Sequence, residues 1–172
     1  MVMNQEQLIY YLAGFIDGEG CFCIALKNQK SAKVRWVLDP VFHVTQNSNH
    51  KEILYLLQKV LNCGIVIKKY GQEQTMQFVV QSRRDLVDKV IPFFRKYPLM
   101  TKNKDFEIFA EVVESLDQHK HADINNFKKL LKKVFTMNSG GKQRRYKLDE
   151  VLNSLGSSET IRQTRAKTKL QS

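Results

Sequence analysis

The sequence predicts an α+β protein in which helices cover one side of an antiparallel sheet. Three observations support this fold class: an amphipathic helix near the N-terminus, two successive pairs of strand-like segments, and a helical pattern after each pair. The expected order is αββαββα, followed by further C-terminal helices. We expect residues 1–156 to form a single domain and residues 157–172 to form a basic, mobile tail.

The first helix is expected within residues 8–20, and two features of that segment are unusual. Gly14 and Gly18 stand four residues apart, so one side of the helix lacks bulk and another backbone can approach it closely. Asp17 and Glu19 lie at the C-terminal end, where the helix dipole disfavours negative charge. A compensating cation explains them best, and oxygen ligands suit Mg²⁺ better than zinc. The apolar residues at helical spacing are Leu8, Ile9, Leu12, Phe15 and Ile16.

The first pair of strands follows this helix directly. Phe22, Ile24 and Leu26 alternate with polar or small residues, and a second alternating run extends to Thr45. Pro40 lies inside the second run and implies a bulge or an edge position. Four basic residues and no acid lie between residues 20 and 38, so this hairpin forms a cationic ribbon that fits a DNA major groove.

A helix and a second hairpin are expected next. The segment Asn49 to Glu52 resembles a capping box that opens the helix, and Asn62-Cys63-Gly64 is a stop signal. The second hairpin is expected from Ile65 to Tyr70 and from Thr75 to Gln81. Its inward residues are expected to be Met76, Phe78 and Val80.

Further helices are expected in the second half of the chain. Ser82 opens the first of them, which Pro92 should kink or end. Thr101 caps the second, which runs to Leu116. The remaining two are expected over residues 123–136 and 148–155, separated by a break at residues 139–141.

The composition limits the classes of protein that are possible. With 172 residues, of which 42% are hydrophobic, the chain can bury one sizeable core. Its 28 Lys and Arg residues outnumber 17 Asp and Glu residues, and the net charge of +11 favours a polyanionic partner. A solvated basic surface without a specific partner would have the same charge.

The cysteines and the apolar segments indicate an intracellular protein without a membrane anchor. Cys21, Cys23 and Cys63 are odd in number and lack C-x-x-C spacing, so neither a disulfide framework nor a zinc site is indicated. No apolar run is long enough to span a membrane, and the N-terminal residues lack the pattern of a signal peptide. We therefore expect no membrane partner.

Residues 12–20 carry a recognisable motif. They read Leu-Ala-Gly-Phe-Ile-Asp-Gly-Glu-Gly and resemble the LAGLIDADG motif of homing endonucleases at six of nine positions. Phe15, Gly18 and Glu19 depart from it conservatively. The element order resembles that fold, whose saddle-shaped antiparallel sheet lies along DNA. The resemblance covers about residues 5–155 and is closest to the single-motif enzymes encoded in chloroplast group I introns.

The resemblance implies a function and its partners. Because the chain has one motif copy, the resemblance implies a homodimer, in which two motif helices and two acidic sites come together. The implied activity is site-specific cleavage of both strands of a long pseudo-palindromic double-stranded DNA, leaving short 3′ overhangs. The implied cofactor is Mg²⁺, with Mn²⁺ as a substitute, and the implied location is an organelle, the chloroplast. The alternative is a maturase that binds intron RNA. A transcription regulator of this fold would carry an appended helix-turn-helix, for which the segment after Gly156 is too short.

The resemblance also assigns catalytic roles to single residues. Glu19 matches the metal-binding acid, with the backbone carbonyl of Gly18 as a further ligand, and Asp17 matches an acid that serves helix capping and the helix interface. The residues that match positions near the scissile phosphate are Gln46, His50 and Lys102, with Lys104 as a competitor of Lys102. A glutamine at a strand end and a histidine at a helix start are also common without any catalytic role.

Two surfaces follow from the pattern and the resemblance together. The expected DNA contacts lie on the outward strand faces and in loops, at Cys23, Ala25, Lys27, Gln29, Lys30, Lys33, Arg35, Val37, His43, Ile67, Lys69, Thr75, Gln77 and Lys142. The expected dimer interface comprises Leu8, Leu12, Ala13, Gly14, Phe15 and Asp17. In a protein that does not bind DNA, the same polar sheet face would be exposed to solvent.

Overall fold

An αββαββα arrangement forms the first part of the chain, as expected. The computed structural model describes residues 3–29, 35–140 and 144–155. The elements in this first part are α1 (Gln5–Glu19), β1 (Gly20–Asn28), β2 (Trp36–Asn47), α2 (Glu52–Leu61), β3 (Ile65–Lys68), β4 (Thr75–Val80), α3 (Arg83–Asp85) and α4 (Ile91–Lys96). The helices that follow are α5 (Asn103–Asp117), α6 (Ile124–Val134), α7 (Met137–Gly140) and α8 (148–155). The α+β class is therefore confirmed.

The four strands form one sheet in the order β1-β2-β4-β3. β4 lies antiparallel to both β2 and β3. Its pairing with β2 covers residues 42–47, so Pro40 lies beyond that pairing although β2 itself continues through it. A proline has no N–H to donate to a ladder, and this local edge accommodates it.

The chain divides into two compact units. Among the described residues, the first comprises 3–24 and 40–118, and the second comprises 25–29, 35–39, 119–140 and 144–155. Strands β1 and β2 each run from one unit into the other along the chain.

Aromatic rings form the core of the first unit and join the sheet to its helices. Phe22 of β1 stacks on Phe42 of β2 with a centroid distance of 5.1 Å. On the helix side, Phe22 also contacts Phe94, Phe106 and Phe109 at 5.3, 5.4 and 5.3 Å. All five rings are buried. Because aromatic pairs add to the free energy gained by burial, this cluster fixes the inner face of the sheet against α4 and α5.

Trp36 organises the second unit. Its indole N–H donates a hydrogen bond to the Ser154 hydroxyl of α8 at 2.7 Å, and its ring meets Tyr146 edge-on at 4.8 Å. At the end of α6, the Arg144 guanidinium donates to the Val134 carbonyl at 2.6 Å, an expected partner for a helix C-terminus. The buried residues of α6 form its apolar face, and they are Phe127, Leu130, Leu131 and Val134.

Several element boundaries differ from those expected. The capping box at Asn49 is wrong, because a 3₁₀ turn (Ser48–His50) precedes α2 and the Asn47 side chain accepts the Asn49 N–H at 2.9 Å. Pro92 does not end its helix: a π turn (Leu86–Val90) precedes it, and α4 continues to Lys96. The break expected at residues 139–141 does not begin there, since 139 and 140 belong to α7.

Candidate functional site

Asp17 connects the end of α1 to the start of α5. Its carboxylate accepts hydrogen bonds from the backbone N–H groups of Met100, Thr101 and Lys102 at 3.2, 3.0 and 3.0 Å. These groups precede the first turn of α5, so Asp17 caps that helix from outside it. The predicted cap by the Thr101 side chain is wrong, because the Thr101 hydroxyl donates to the Asp17 carbonyl at 3.1 Å.

The environment of Asp17 favours its charged form. Burial acts to raise the pKa of Asp17, but hydrogen bonds from the Thr101 and Lys102 backbone, the Thr101 hydroxyl and the Met100 backbone outweigh it and lower the pKa. The carboxylate is ionised at neutral pH and its oxygens are committed to the backbone of another segment.

Lys102 reaches back to the same helix end. Its Nζ donates to the main-chain carbonyls of Asp17 and Gly18, both at 2.5 Å. Carbonyls of the last helical turn have no partner within the helix, and positive charge is favourable beside them. Lys104 is exposed on α5, two residues further along the chain. The sequence left these two lysines as alternatives, and the structure distinguishes them because Lys102 contacts the end of α1.

Glu19 is the exposed last residue of α1, next to the Gly18 carbonyl that Lys102 contacts. Among the described residues, Glu19 belongs to no group of three His, Cys, Asp or Glu side chains that could share one ion. Its carboxylate and the Gly18 carbonyl are hard oxygen donors, and Mg²⁺ commonly takes one or two carboxylates together with water and phosphate oxygens. These donors fit Mg²⁺ when further oxygens come from outside the chain.

Gln46 and His50 lie at the end of β2 and in the turn after it. The Gln46 side-chain oxygen accepts the Asn47 N–H at 2.7 Å, and His50 is exposed in the 3₁₀ turn. No hydrogen bond between described residues joins either side chain to Glu19 or Lys102. The hydrogen bonds between described residues therefore do not link these two predicted residues to Glu19 or Lys102.

The outer face of the sheet carries cross-strand rows of side chains in the first unit. The first row is His43, Val79 and Ile65, and the second is Thr45, Gln77 and Ile67. Val79 is buried between its neighbours, whereas Ile65 and Ile67 are exposed. Burial, with a smaller contribution from the charge of Lys69, lowers the pKa of His43 and favours the neutral imidazole.

Two thiols share this outer face with His43. Cys21 and Cys23 alternate along β1 with buried residues, and their Sγ atoms lie 3.1 Å apart. The contact with Cys23 and burial raise the pKa of the Cys21 thiol. The two sulfur atoms and a ring nitrogen of His43 all lie within 4.8 Å of one another. Sequence reasoning missed this cluster because its third member comes from a different strand, so no cysteine spacing reveals it.

In the second unit, the predicted cationic ribbon contains a compensated charge. The Lys27 ammonium lies 2.5 Å from the carboxylate of Asp39, which follows the acid-free segment directly. The charge of Lys27 is therefore partly offset by this ion pair. Arg35 is exposed before β2 begins, and its Nε donates to Asn28 at 3.3 Å while its carbonyl accepts the Gln29 N–H at 2.7 Å.

For the other predicted DNA contacts, the structure gives only position and burial. Ala25 is exposed and Val37 is half-buried, as outward strand positions should be. Thr75 begins β4 opposite Asn47. The remaining predicted contacts lie outside the described residues, and they are Lys30, Lys33 and Lys142.

One side of α1 is exposed and has little bulk. A Cβ atom added at Gly14 or Gly18 would meet no atom within 4 Å. Tyr10 and Tyr11 lie on the same side of α1, and their side chains are 58% and 52% exposed. These residues recur at spacings of three and four, so they form one strip along the helix.

The opposite side of α1 packs into its own unit. Leu12 is 0% exposed and Ala13 is 7% exposed. Both side chains are buried within the protomer, and the placing of Leu12 and Ala13 at a dimer interface stays a prediction. Leu8, Phe15 and Asp17 are half-buried, between the two sides.

Comparison with known proteins identifies the family. The family model for LAGLIDADG endonucleases matches residues 12–113, from the start of the motif into α5. The chain belongs to the LAGLIDADG endonuclease family. Its α+β architecture is the LAGLIDADG homing endonuclease fold. No helix in the described part of this family member is long and apolar enough to cross a membrane.

Relatives of this LAGLIDADG chain come from different sources. Homing endonuclease I-ApeII of Aeropyrum pernix is 33% identical over 154 residues, which are 87% of this chain and 91% of the relative. DNA endonuclease I-CeuI of Chlamydomonas moewusii is 33% identical over 118 residues, which are 66% of this chain and 54% of the relative. Because an archaeon is among these sources, the similarity does not single out a chloroplast origin.

Two similar solved structures are complexes with DNA. The archaeal intron-encoded homing endonuclease I-Vdi141I has a TM-score of 0.85 at 30% identity, covering 91% of this chain and 99% of that one. The group I intron-encoded I-CeuI has a TM-score of 0.80 at 27% identity, covering 90% and 79%.

Proposed function

We propose that this LAGLIDADG protein is a site-specific homing endonuclease that acts on double-stranded DNA as a homodimer. The observation that carries the proposal is the end of α1, where Asp17 is fully engaged in capping while Glu19 stands exposed beside Lys102. One acid is thus structural, and the other is available for chemistry. Similarity to intron-encoded endonucleases in complex with DNA supports the same substrate class.

Glu19 and the Gly18 carbonyl of each protomer would hold a divalent cation, Mg²⁺ or in its place Mn²⁺. When bound, that cation supplies Lewis-acid charge to phosphodiester hydrolysis. Lys102 holds a positive charge beside the same carbonyls, where it would stabilise negative charge that develops on the scissile phosphate. Asp17 positions Lys102 by accepting its backbone N–H, so the ammonium and the Glu19 carboxylate are presented together.

Gln46 and His50 are proposed to order the water molecules around the scissile phosphate. Because the Gln46 oxygen is held by the Asn47 N–H, its amide NH₂ group is oriented as a donor to water or to phosphate oxygen. His50 is exposed in the following turn, where its ring nitrogens can donate or accept hydrogen bonds.

The outer sheet face would provide contacts to bases and phosphates. In the first unit, polar side chains such as Thr45, Gln77 and Lys69 accompany the cross-strand rows. In the second unit, Lys27 and Arg35 are exposed cations. Long cationic side chains contact phosphates, and side chains that alternate along a strand can reach base edges in the major groove. A net charge of +11 favours such a polyanion.

A second copy of the chain completes the proposed enzyme. One protomer presents one motif helix and one Glu19, whereas cutting both strands requires two such sites. A two-fold dimer reads the same half-site twice, so the target is pseudo-palindromic and long, and the staggered cuts leave short 3′ overhangs. The maturase alternative has no specific observation in its favour, because the relatives described above carry endonuclease names.

The test is cleavage of DNA by matched variants. Wild-type protein is incubated with fragmented genomic DNA, with Mg²⁺ or with EDTA, and new ends are sequenced. We expect one recurrent staggered cut in Mg²⁺ and none in EDTA. Glu19→Gln should bind the same duplex without cutting it, whereas Glu6→Gln, which removes an exposed acid from the first turn of α1, should cut normally. Cleavage by Glu19→Gln at the wild-type rate would overturn the assignment of the site.

A further inference from the structure

The thiols and the imidazole on the outer sheet face form a set of soft ligands. Cys21 and Cys23 point away from the aromatic core because they alternate with buried residues of β1, and His43 does the same on β2. β1 and β2 are hydrogen-bonded neighbours, so the three side chains meet on one face. In the described part of the chain, this is the group of His, Cys, Asp and Glu side chains compact enough to share an ion.

The spacing of the three ligand atoms is close to that of a tetrahedral metal site. Zinc–sulfur bonds of about 2.3 Å and zinc–nitrogen bonds of about 2.0 Å place ligand atoms roughly 3.5 to 3.8 Å apart. The two Sγ atoms are 3.1 Å apart, and no pair in the cluster exceeds 4.8 Å. Shifts of about 1 Å therefore bring all three to bonding positions, which rotation about Cα–Cβ bonds can supply.

A disulfide between Cys21 and Cys23 fits the strand less well. Residues two apart on an extended strand have Cα atoms about 6.6 Å from each other, near the upper limit of about 6.8 Å for disulfides. The ladder would have to distort for the sulfur atoms to close from 3.1 Å to a bond. A metal ion bridges the same two sulfur atoms without moving the backbone.

We propose that Cys21, Cys23 and His43 bind one zinc ion, with the fourth position open to solvent. Two thiolates and one imidazole are ligands that zinc prefers and Mg²⁺ avoids, so this site differs in kind from the oxygen donors at Glu19. Binding releases the two thiol protons to solvent. The resulting centre is electrically neutral, because two thiolates offset the dication, so it adds no repulsion to a protein of net charge +11. The ion ties β1 to β2 across the outer face.

The test measures metal binding directly. Full-length protein is reduced, freed of metal with a chelator, and titrated with Co²⁺ as a spectroscopic probe of thiolate ligation, after which Zn²⁺ displaces it. We expect one equivalent of Co²⁺ and then of Zn²⁺ per chain, undiminished by excess Mg²⁺, and a Tm that rises with Zn²⁺ because the ion binds the folded state. Uptake of no metal by the wild-type protein would overturn the proposal.

Matched variants locate the site. Cys21→Ser, Cys23→Ser and His43→Gln should each lose the cobalt–thiolate absorption and the Tm increase, while circular dichroism shows that they remain folded. Cys63→Ser alters the remaining cysteine, in the loop after α2, and should bind as the wild type does. Loss of the signal in Cys63→Ser, or its retention in Cys23→Ser, would place the metal elsewhere. Glu19→Gln should still take up zinc, so failure of this site and failure of the proposed nuclease site are distinguishable.

Discussion

At the scale of single residues, two carboxylates two positions apart on α1 have opposite environments. Asp17 is surrounded by backbone donors from another segment, while Glu19 is exposed at the helix terminus. A carboxylate that accepts several N–H groups is held in place and charged, and one that faces solvent is available to a ligand. The division of roles between the two acids thus follows from where residues 100–102 lie.

Removing the charge of Asp17 should have a pH-dependent cost. Because the folded-state pKa of Asp17 is lowered, the carboxylate contributes its full stability above the ordinary pKa of 3.8, and the contribution is lost as pH falls through the folded value. Asp17→Asn should lower the free energy of unfolding by about 1 to 2 kcal/mol near neutral pH. That difference from the wild type should shrink below about pH 4 in denaturant titrations.

Asp88→Asn is the matched control for this experiment. The Asp88 carboxylate makes an exposed i,i+4 ion pair with Arg84 at 3.5 Å, which contributes little to stability. The Asp88→Asn substitution should change the free energy of unfolding by less than about 0.5 kcal/mol at every pH. An Asp17→Asn difference that stayed constant down to acid pH would contradict the capping role.

The two lysines near the start of α5 should also differ. Lys102→Ala removes the ammonium that contacts the Gly18 carbonyl, so it should slow DNA cleavage by about 100-fold or more. It should also lower the free energy of unfolding by about 0.3 to 1 kcal/mol, because a cation leaves a helix C-terminus. Lys104→Ala should change neither cleavage rate nor stability. Normal cleavage by Lys102→Ala together with slow cleavage by Lys104→Ala would reverse the assignment.

The sequence predicted which residue types form this site, but contacts distant along the chain decided between candidates. Lys102 and Lys104 are the same residue type and both lie near the start of a helix, so no local pattern distinguishes them. Lys102 meets Gly18 across 84 positions of sequence. The cluster of Cys21, Cys23 and His43 was missed for the same reason, since strand pairing brings it together.

At the scale of elements, the sequence predicted some boundaries and missed others. The Ser82 side chain accepts the Asp85 N–H at 3.3 Å and opens its helix as expected. Asn62 ends α2 in the left-handed conformation and Gly64 follows with a φ of 74°, as the stop signal indicated. The capping box at Asn49 was wrong because Asn47, at the end of β2, caps a 3₁₀ turn, and α2 begins after that turn without a side-chain cap. The cap of α5 was wrong because Asp17, on another helix, replaces a local cap.

Gly64 and Gly71 provide a matched pair for measuring what close packing adds to backbone strain. Both have a φ of 74°, but a Cβ at Gly64 would lie 2.6 Å from the Phe78 ring and 2.8 Å from the Val79 carbonyl oxygen. A Cβ at Gly71 would meet nothing within 4 Å. Gly71→Ala should cost about 1 to 2 kcal/mol of stability from strain, and Gly64→Ala about 1 to 3 kcal/mol more from overpacking. Equal losses of unfolding free energy would show that α2 and β4 can separate to admit a methyl group.

At the scale of the whole molecule, three properties together favour a symmetric assembly on a polyanion. The net charge is +11, one motif helix supplies one exposed Glu19, and the free side of α1 offers glycines and tyrosines. Composition and motif predicted the first two. For the third, the sequence predicted the low bulk at Gly14 and Gly18, and the structure adds the exposed Tyr10 and Tyr11 to that side of α1.

Gly14→Gln should therefore separate folding from dimerisation. The new side chain meets no atom within 4 Å of its Cβ in the protomer, and glutamine favours a helix over glycine by about 0.5 kcal/mol, so the free energy of unfolding of the monomer should rise slightly. In a dimer packed through α1, the same side chain obstructs the close approach of two backbones. Sedimentation velocity over a range of concentrations should show a weaker dimer, and DNA cleavage should fall with it. Tyr55→Gln, an exposed change on α2, is the control and should leave dimerisation unchanged. A dimer of unaltered affinity in Gly14→Gln would show that α1 does not form the interface.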